Sequence, residues 1–124
     1  MEEHSSRVVA GQISFVVEHR RVAGSGGPTV RVMGSDDDHE YLRFDMFEVN
    51  AHYHYEPPGG EERVLSIDTA AVGDPVAWVM ERLRERLAPM LMEAGGASLT
   101  DALDSATLTD AIADVEVLVR KPEV

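Results

Sequence analysis

The sequence from residue 41 to residue 55 reads Tyr41-Leu42-Arg43-Phe44-Asp45-Met46-Phe47-Glu48-Val49-Asn50-Ala51-His52-Tyr53-His54-Tyr55. The bulky apolar content of residues 41–48 predicts a strand, because aromatic and branched side chains pack well on a half-buried pleated surface. Residues 49–51 predict a tight connection, and the alternation in residues 52–55 predicts a second strand. We therefore expect antiparallel pairing in the middle of the chain.

Two segments before residue 41 also have the alternating pattern of strands. The first covers residues 7–22, in which Ile13 and Phe15 alternate with polar side chains. The second covers residues 29–33. Residues 23–28 between them are rich in glycine and end in proline, so they predict the turn of an antiparallel hairpin.

After residue 73 the apolar period changes from 2 to 3.6, which predicts an amphipathic helix from Pro75 to Ala94. Asp74 can cap the free N–H groups at its start, and Pro75 suits the first helical position because its missing donor has no partner there. Pro89 removes one backbone hydrogen bond inside this helix. It predicts a kink near residues 85–88 or a restart at Pro89.

Three shorter segments complete the set of predicted elements. Residues 64–68 predict a fifth strand, and residues 98–106 predict a short helix. The alternation of Val115, Val117 and Val119 with other residues predicts a last strand. This order predicts an α+β fold with an antiparallel sheet of about five to six strands, mostly a meander. One long amphipathic helix packs on one face, beside a short second helix.

The composition argues against several classes of protein. The 124 residues form a single domain, 1–124, with loose termini expected at 1–6 and 121–124. The formal net charge of −12 repels phosphate backbones and anionic lipids, so we expect neither nucleic acid nor a membrane as a partner. The absence of cysteine fits a reducing compartment. Residues 1–4 include acids where a signal peptide is positive, so the expected location is the cytoplasm.

The residues that could take part in catalysis, ligand binding or metal binding are concentrated between residues 43 and 56. His52 and His54 are two apart on a predicted strand, so both can point to one side, with Glu56 following on the same face. Two imidazoles and a carboxylate form a ligand set for zinc, iron or manganese, which predicts a divalent metal site at His52, His54 and Glu56. Three other side chains could replace Glu56 if the hairpin places them opposite: Asp45, Glu48 and His39.

The same segment also fits two interpretations without a metal. In the first, a histidine acts as a base near neutral pH, a carboxylate orients it, and an arginine holds an anionic small molecule. The candidate catalytic residues are His52, His54, Asp45 and Glu48. The candidate ligand-binding residues are Arg43, Tyr53 and Tyr55. In the second interpretation, the polar groups only form hydrogen bonds across the hairpin, and the tyrosines fill the interface between sheet and helix.

A non-catalytic interaction module is the alternative from a different class. Trp78 lies off the main apolar stripe of the predicted helix, so it forms either the rim of the core or a contact between two copies. A homodimer is therefore expected. The acidity favours a basic protein as a further partner.

Three groups of residues also resemble a small bacterial domain family of unknown function. They are the segment from Arg43 to Glu48, the segment from His52 to Tyr55, and Gly73-Asp74-Pro75 with Trp78. The resemblance covers roughly residues 7 to 95. It implies no activity and no catalytic residues, so it leaves open whether the protein is an enzyme. The best-supported hypothesis from the sequence is a small ligand- or metal-binding protein.

Overall fold

The computed structural model describes residues 5–22 and 24–121. Six strands form one antiparallel sheet, in which each strand pairs with the next strand along the chain. They are β1 (Ser6–Ala10), β2 (Ile13–Val22), β3 (Ser25–Gly34), β4 (Glu40–Asp45), β5 (His52–Tyr55) and β6 (Arg63–Ser66). The predicted α+β class and the antiparallel meander are confirmed. Most of the predicted loose termini lie outside the described residues, although Ser6 already pairs with Val17.

Five helices follow the sheet along the chain. They are α1 (Thr69–Val72), α2 (Pro75–Glu85), α3 (Leu87–Glu93), α4 (Ala97–Thr100) and α5 (Ser105–Arg120). Helix α5 contacts β1, β2, β3 and α2, while α3 contacts β4. The core lies between these helices and one face of the sheet, where the largest buried side chains of the strands are Ile13, Phe15, Val30, Val32, Leu42 and Phe44.

The single strand predicted for residues 7–22 is wrong, because the chain reverses inside it. Ala10 pairs with Ile13, and Gly11 and Gln12 form the turn between β1 and β2. Gly11 has a φ of 64°, the left-handed conformation that suits glycine in a two-residue hairpin turn. The apolar residues Ala10 and Ile13 are three apart, so the alternation loses its phase at the turn.

Strand β4 ends at Asp45, three residues before the predicted end at Glu48. The N–H groups of Met46 and Glu48 still donate to carbonyl oxygens of Pro28 and Gly26 at the start of β3. A Cβ atom at Gly27 would collide with the carbonyl oxygen of Met46. The hydrogen bonds of Met46 and Glu48 keep the register of β3 with β4, but Pro28 has no N–H group to donate to Met46, so the regular ladder ends at Asp45.

The predicted helix from residue 75 to residue 94 is broken in two. Arg86 has a φ of −130°, outside the helical region, and α3 begins at the next residue. Pro89 is the third residue of α3, where a missing N–H has no intrahelical acceptor to lose. The kink predicted near residues 85–88 is confirmed. Asp74 caps α2 as predicted, with its carboxylate accepting from the N–H of Val76 at 3.0 Å.

The predicted last strand is wrong, because residues 105–120 form α5. The buried side chains Ile112, Val115 and Val119 recur at helical spacing, whereas Val117 is 65% exposed. The carboxylate of Asp104 accepts from the N–H of Thr107 and caps the helix. Packing of one apolar face on the sheet therefore overrides the strand propensity of the valines.

Candidate functional site

The candidate site lies on the face of the sheet that the described helices leave uncovered. The strand register places Asp45 opposite Thr29 of β3 and opposite His52 of β5, and it places Arg43 opposite His54. Charged and titratable side chains of four neighbouring strands therefore meet on this face. They are Glu18, Arg20, Arg31, Glu40, Arg43, Asp45, His52 and His54.

Asp45 is the centre of this polar face, and only 1% of its surface is exposed. Its Oδ1 atom accepts from the Thr29 hydroxyl at 2.7 Å and from Arg20 Nη1 at 3.1 Å. Its Oδ2 atom accepts from Arg43 Nε at 3.1 Å. Burial by itself would raise the pKa of Asp45, but the Thr29 hydrogen bond and the charges of Arg43 and His52 together hold it below its usual value. Asp45 is therefore an ionised carboxylate inside the protein.

Both predicted histidines face Asp45. The Nε2 atom of His52 lies 3.1 Å from Asp45 Oδ2, and the Nε2 atom of His54 lies 3.3 Å from the same oxygen. All three atoms lie within 4.8 Å of one another. Ligand atoms that share a metal ion at about 2.0–2.1 Å lie roughly 3.0 to 3.4 Å apart, depending on the coordination angle. The two distances from the carboxylate therefore match those of a metal-ligand set.

The other nitrogen of each histidine has its own partner. His52 Nδ1 lies 2.7 Å from the carbonyl oxygen of Asn50, and His54 Nδ1 lies 2.8 Å from Glu62 Oε2. A carbonyl and a carboxylate only accept, so Nδ1 carries the proton in both rings. The Nε2 atom of His54 then accepts from Arg43, whereas His52 Nε2 faces the acceptor Asp45 Oδ2 and would present a lone pair only to a metal ion held between them. An acceptor behind the ring is typical of metal-binding histidines.

Arg43 lies at the point to which these atoms converge. Its Nη2 atom lies 2.8 Å from His54 Nε2, while its Nε bonds to Asp45. The guanidinium therefore supplies positive charge and donors to the same lone pairs that a metal ion would take. About 23% of the Arg43 side chain is exposed, so it borders solvent and has room to turn outward.

Two carboxyl side chains, Glu40 and Glu56, lie next to each other, and Glu56 is close to His54. Burial, followed by a hydrogen bond with Glu40, raises the pKa of Glu56 to about 8. Burial opposes ionisation of Glu40 as well, but the hydrogen bonds with Glu56 and Arg31 hold the pKa of Glu40 below its usual value. One raised and one lowered pKa are the pattern of two adjacent carboxyl groups that share a proton, because two like charges side by side are unfavourable. The predicted third ligand, Glu56, lies close enough to His54 and Glu62 to share an ion with them, whereas the set of ligand atoms that includes His52 is completed by Asp45.

Two other predicted residues lie away from the pair of histidines. Glu48 is exposed after the end of β4, near residues of α2 and α5. His39 Nε2 bonds to the carbonyl oxygen of Glu56 at 2.7 Å, and its ring contacts Tyr41. Of the three substitutes that the sequence offers for Glu56, Asp45 is therefore the one that the fold places between His52 and His54.

Tyr53 and Tyr55 lie on the opposite face of β5 and do not share a site with Arg43. Both pack against the core, and the ring of Tyr53 stacks on Phe44 at 5.8 Å. Trp78 is half-buried, with its ring 5.7 Å from that of Tyr53, which places it at the rim of the core. A ligand-binding role for the tyrosines stays a prediction, and it would have to act in a separate cleft.

The sequence interpretation missed residues on β2 and β3 that complete the site. Arg31 joins Glu18 at 2.6 Å and Glu40 at 2.7 Å, so a row of ion pairs crosses the sheet towards Asp45. The signal was the polar alternation of Glu18 with Arg20, which repeats in Thr29 and Arg31. That pattern gives the face of each residue, but not its neighbours on the next strand.

None of the helices within residues 5–22 and 24–121 has the length and apolar character needed to cross a membrane. No curated protein and no solved structure has significant similarity to the chain. A family model described as a domain of unknown function, DUF7700, matches residues 7–119. The match extends beyond residue 95 and includes most of α5. The chain therefore belongs to the DUF7700 family of domains of unknown function.

Proposed function

We propose that this protein binds a divalent metal ion through Asp45, His52 and His54. The observation that carries the proposal is the convergence of three ligand atoms, Oδ2 of Asp45 and Nε2 of each histidine, while both Nδ1 atoms are held by acceptors. Two imidazoles and one carboxylate suit zinc, iron(II) and manganese. The partners of Nδ1 support the proposal because such outer contacts orient metal ligands.

The surroundings support a site that also takes a small anionic molecule. Three protein ligands leave coordination positions free, and a metal ion there would polarise a bound oxygen. Arg20 and Arg31 lie on the same face with about 31% and 26% of their side chains exposed. Each already pairs with protein carboxylates, so an anionic molecule would bind them through their remaining N–H groups or by exchange with those carboxylates. Arg43 must turn away from His54 when the metal binds, because both take the same lone pair.

The first test measures metal content in protein purified without a histidine tag or chelator. We expect close to one zinc, iron or manganese ion per chain, and loss of that ion in His52→Ala and His54→Ala. His19→Ala is the matched control, because His19 Nε2 bonds to the carbonyl oxygen of Val119 at the helical side of the sheet. Circular dichroism shows whether each variant is folded.

Two results would contradict this proposal. One is metal-free protein that binds none of the three ions after they are added back. The other is metal binding that His52→Ala, His54→Ala and His19→Ala leave equally unchanged.

A second candidate function is metal-free binding of an anion beside a histidine base. It is supported by the contact of Arg43 with His54 and by the Asp45 carboxylate beside His52. In that case an anion, and not a metal, protects the protein against unfolding. The homodimer, the interaction with a basic protein and the cytoplasmic location stay predictions from the sequence.

A further inference from the structure

A cleft lies on the other side of the sheet, between strands β5 and β6 and helices α2 and α3. Its volume is about 530 Å³, within the range of small-molecule sites. Three aromatic and three basic side chains line it: Tyr53, Tyr55, Trp78, Arg63, Arg82 and Arg86. Strand β5 therefore presents its histidines to the polar face around Asp45 and its tyrosines to this cleft.

The aromatic side chains offer a surface for a planar ring. The rings of Tyr53 and Tyr55 have centroids 5.6 Å apart, and those of Tyr53 and Trp78 are 5.7 Å apart. They are three of the seven Phe, Trp and Tyr residues in the chain. Leu65 and Met90 add apolar surface. A flat apolar group would gain stacking and burial there.

The arginines make the cleft a place for negative charge in an otherwise acidic protein. Three of the eleven basic residues lie here, although the net charge is −12. Arg63 stacks over the ring of Tyr55 at 4.7 Å, and Arg82 stacks over Trp78 at 5.1 Å. These contacts hold the guanidinium groups at the aromatic surface while their edges remain able to donate.

Two observations show donor capacity that the described residues do not use. The Arg82 side chain is 25% exposed, so a ligand can reach its outer nitrogens, while its buried Nε atom has no hydrogen-bond partner. Arg86 forms no ion pair with any residue in 5–22 or 24–121. Two carboxylates would compete with an anionic ligand for these arginines. Glu93 pairs with Arg63 at 2.7 Å, and Glu81 pairs with Arg82 at 2.6 Å.

We propose that this cleft binds a small aromatic carboxylate, with its ring against Tyr53 and Trp78 and its anionic group on Arg86 and Arg82. The proposal is independent of the metal site, since the two sites lie on opposite faces of β5. The ligand class follows from the pairing of aromatic surface with unused guanidinium donors.

The test uses three matched probes: 2-naphthoate, the neutral 2-naphthamide and the non-planar anion cyclohexanecarboxylate. Calorimetry gives the affinities, and NMR follows the indole N–H signal of Trp78, which is unique because the chain has one tryptophan. We expect 2-naphthoate to shift that signal and to bind about tenfold or more tighter than either other probe, because only it has both features.

Variants distinguish binding in the cleft from non-specific binding elsewhere on the protein. Arg86→Gln should weaken 2-naphthoate about tenfold, because it removes a charged donor. Arg84→Gln is the matched control two residues earlier, near the end of α2. Arg84 pairs with Glu116 outside the cleft, so this variant should leave the affinity unchanged. Glu81→Gln should strengthen binding, because it releases Arg82 for the anionic group of the ligand.

The proposal is overturned if 2-naphthoate leaves the Trp78 signal in place at millimolar concentration. It is also overturned if the acid and the amide bind equally, or if Arg86→Gln and Arg84→Gln have the same effect. All of these variants change exposed side chains, so loss of folding does not obscure the result.

Discussion

Replacing Asp45 by asparagine should cost the protein about 3 kcal/mol of unfolding free energy. The variant keeps the shape of the side chain but removes its charge and turns an acceptor into a donor. Arg20 and Arg43 would then lose the carboxylate that lies 3.1 Å from each of them. Breaking a buried ion pair costs about 3–5 kcal/mol.

The lower end of that range applies here. The side chains of Arg20 and Arg43 are 31% and 23% exposed, so both can turn towards water when Asp45 is lost. An unfolding entropy of about 2.1 cal/mol/K per residue gives roughly 0.26 kcal/mol/K for a chain of this length. A loss of about 3 kcal/mol therefore lowers the melting temperature by about 12 °C.

Urea and thermal unfolding in the presence of a chelator measure this loss without any contribution from bound metal. Arg84→Gln serves as the control, because its ion pair with Glu116 is exposed and should contribute less than about 1 kcal/mol. If Asp45→Asn and Arg84→Gln lower the free energy of unfolding by the same small amount, the claim that the buried ion pairs of Asp45 stabilise the fold is wrong. With zinc added, only the wild type should gain further stability.

Three other predictions test separate parts of the structure. Arg43→Met should tighten zinc binding about tenfold, because it removes a cation from the proposed metal position. A competition assay with a fluorescent chelator measures the affinity, and weaker binding would contradict the proposal that Arg43 competes with the metal ion. Val117→Ala should raise stability in urea by about 0.5 kcal/mol, since alanine favours an exposed helical position and valine a strand, whereas Val115→Ala should lower it by about 2 kcal/mol. The hydrogen bond to Asp37 raises the pKa of Tyr41 to about 12. The stability that this hydrogen bond contributes is therefore complete below the usual tyrosine pKa near 10 and is lost as the pH rises towards 12. Tyr41→Phe should remove the absorbance change of one tyrosine near pH 12 from a titration followed at 295 nm.

The sequence predicted best where the physical cause is local. The cap at Asp74, the first helical position of Pro75 and the break before Pro89 all depend on residues within one turn of each other, and the structure contains them. His52 and His54 share a face for the same reason, because neighbours two apart on a strand point to one side.

The predictions failed where packing decides between two local patterns. Residues 115–119 carry both an alternation of valines and part of a helical stripe that starts at Leu108. Only contact with the sheet shows that the stripe is the buried pattern, because strand and helix propensities differ by less than the energy of burying one apolar face. The turn at Gly11 was missed because the apolar content is similar on both sides.

The sequence by itself determined the α+β class, the start of α2 with a break near residues 85–88, and the faces on which the histidines and tyrosines of β5 lie. Only the tertiary structure decided that Asp45, and not Glu56, stands between His52 and His54, and that Arg43 Nη2 lies 2.8 Å from His54 Nε2. The physical reason is strand register. Alternation determines the face of each side chain, but its neighbours on that face come from other strands, and a shift in pairing changes all of them at once.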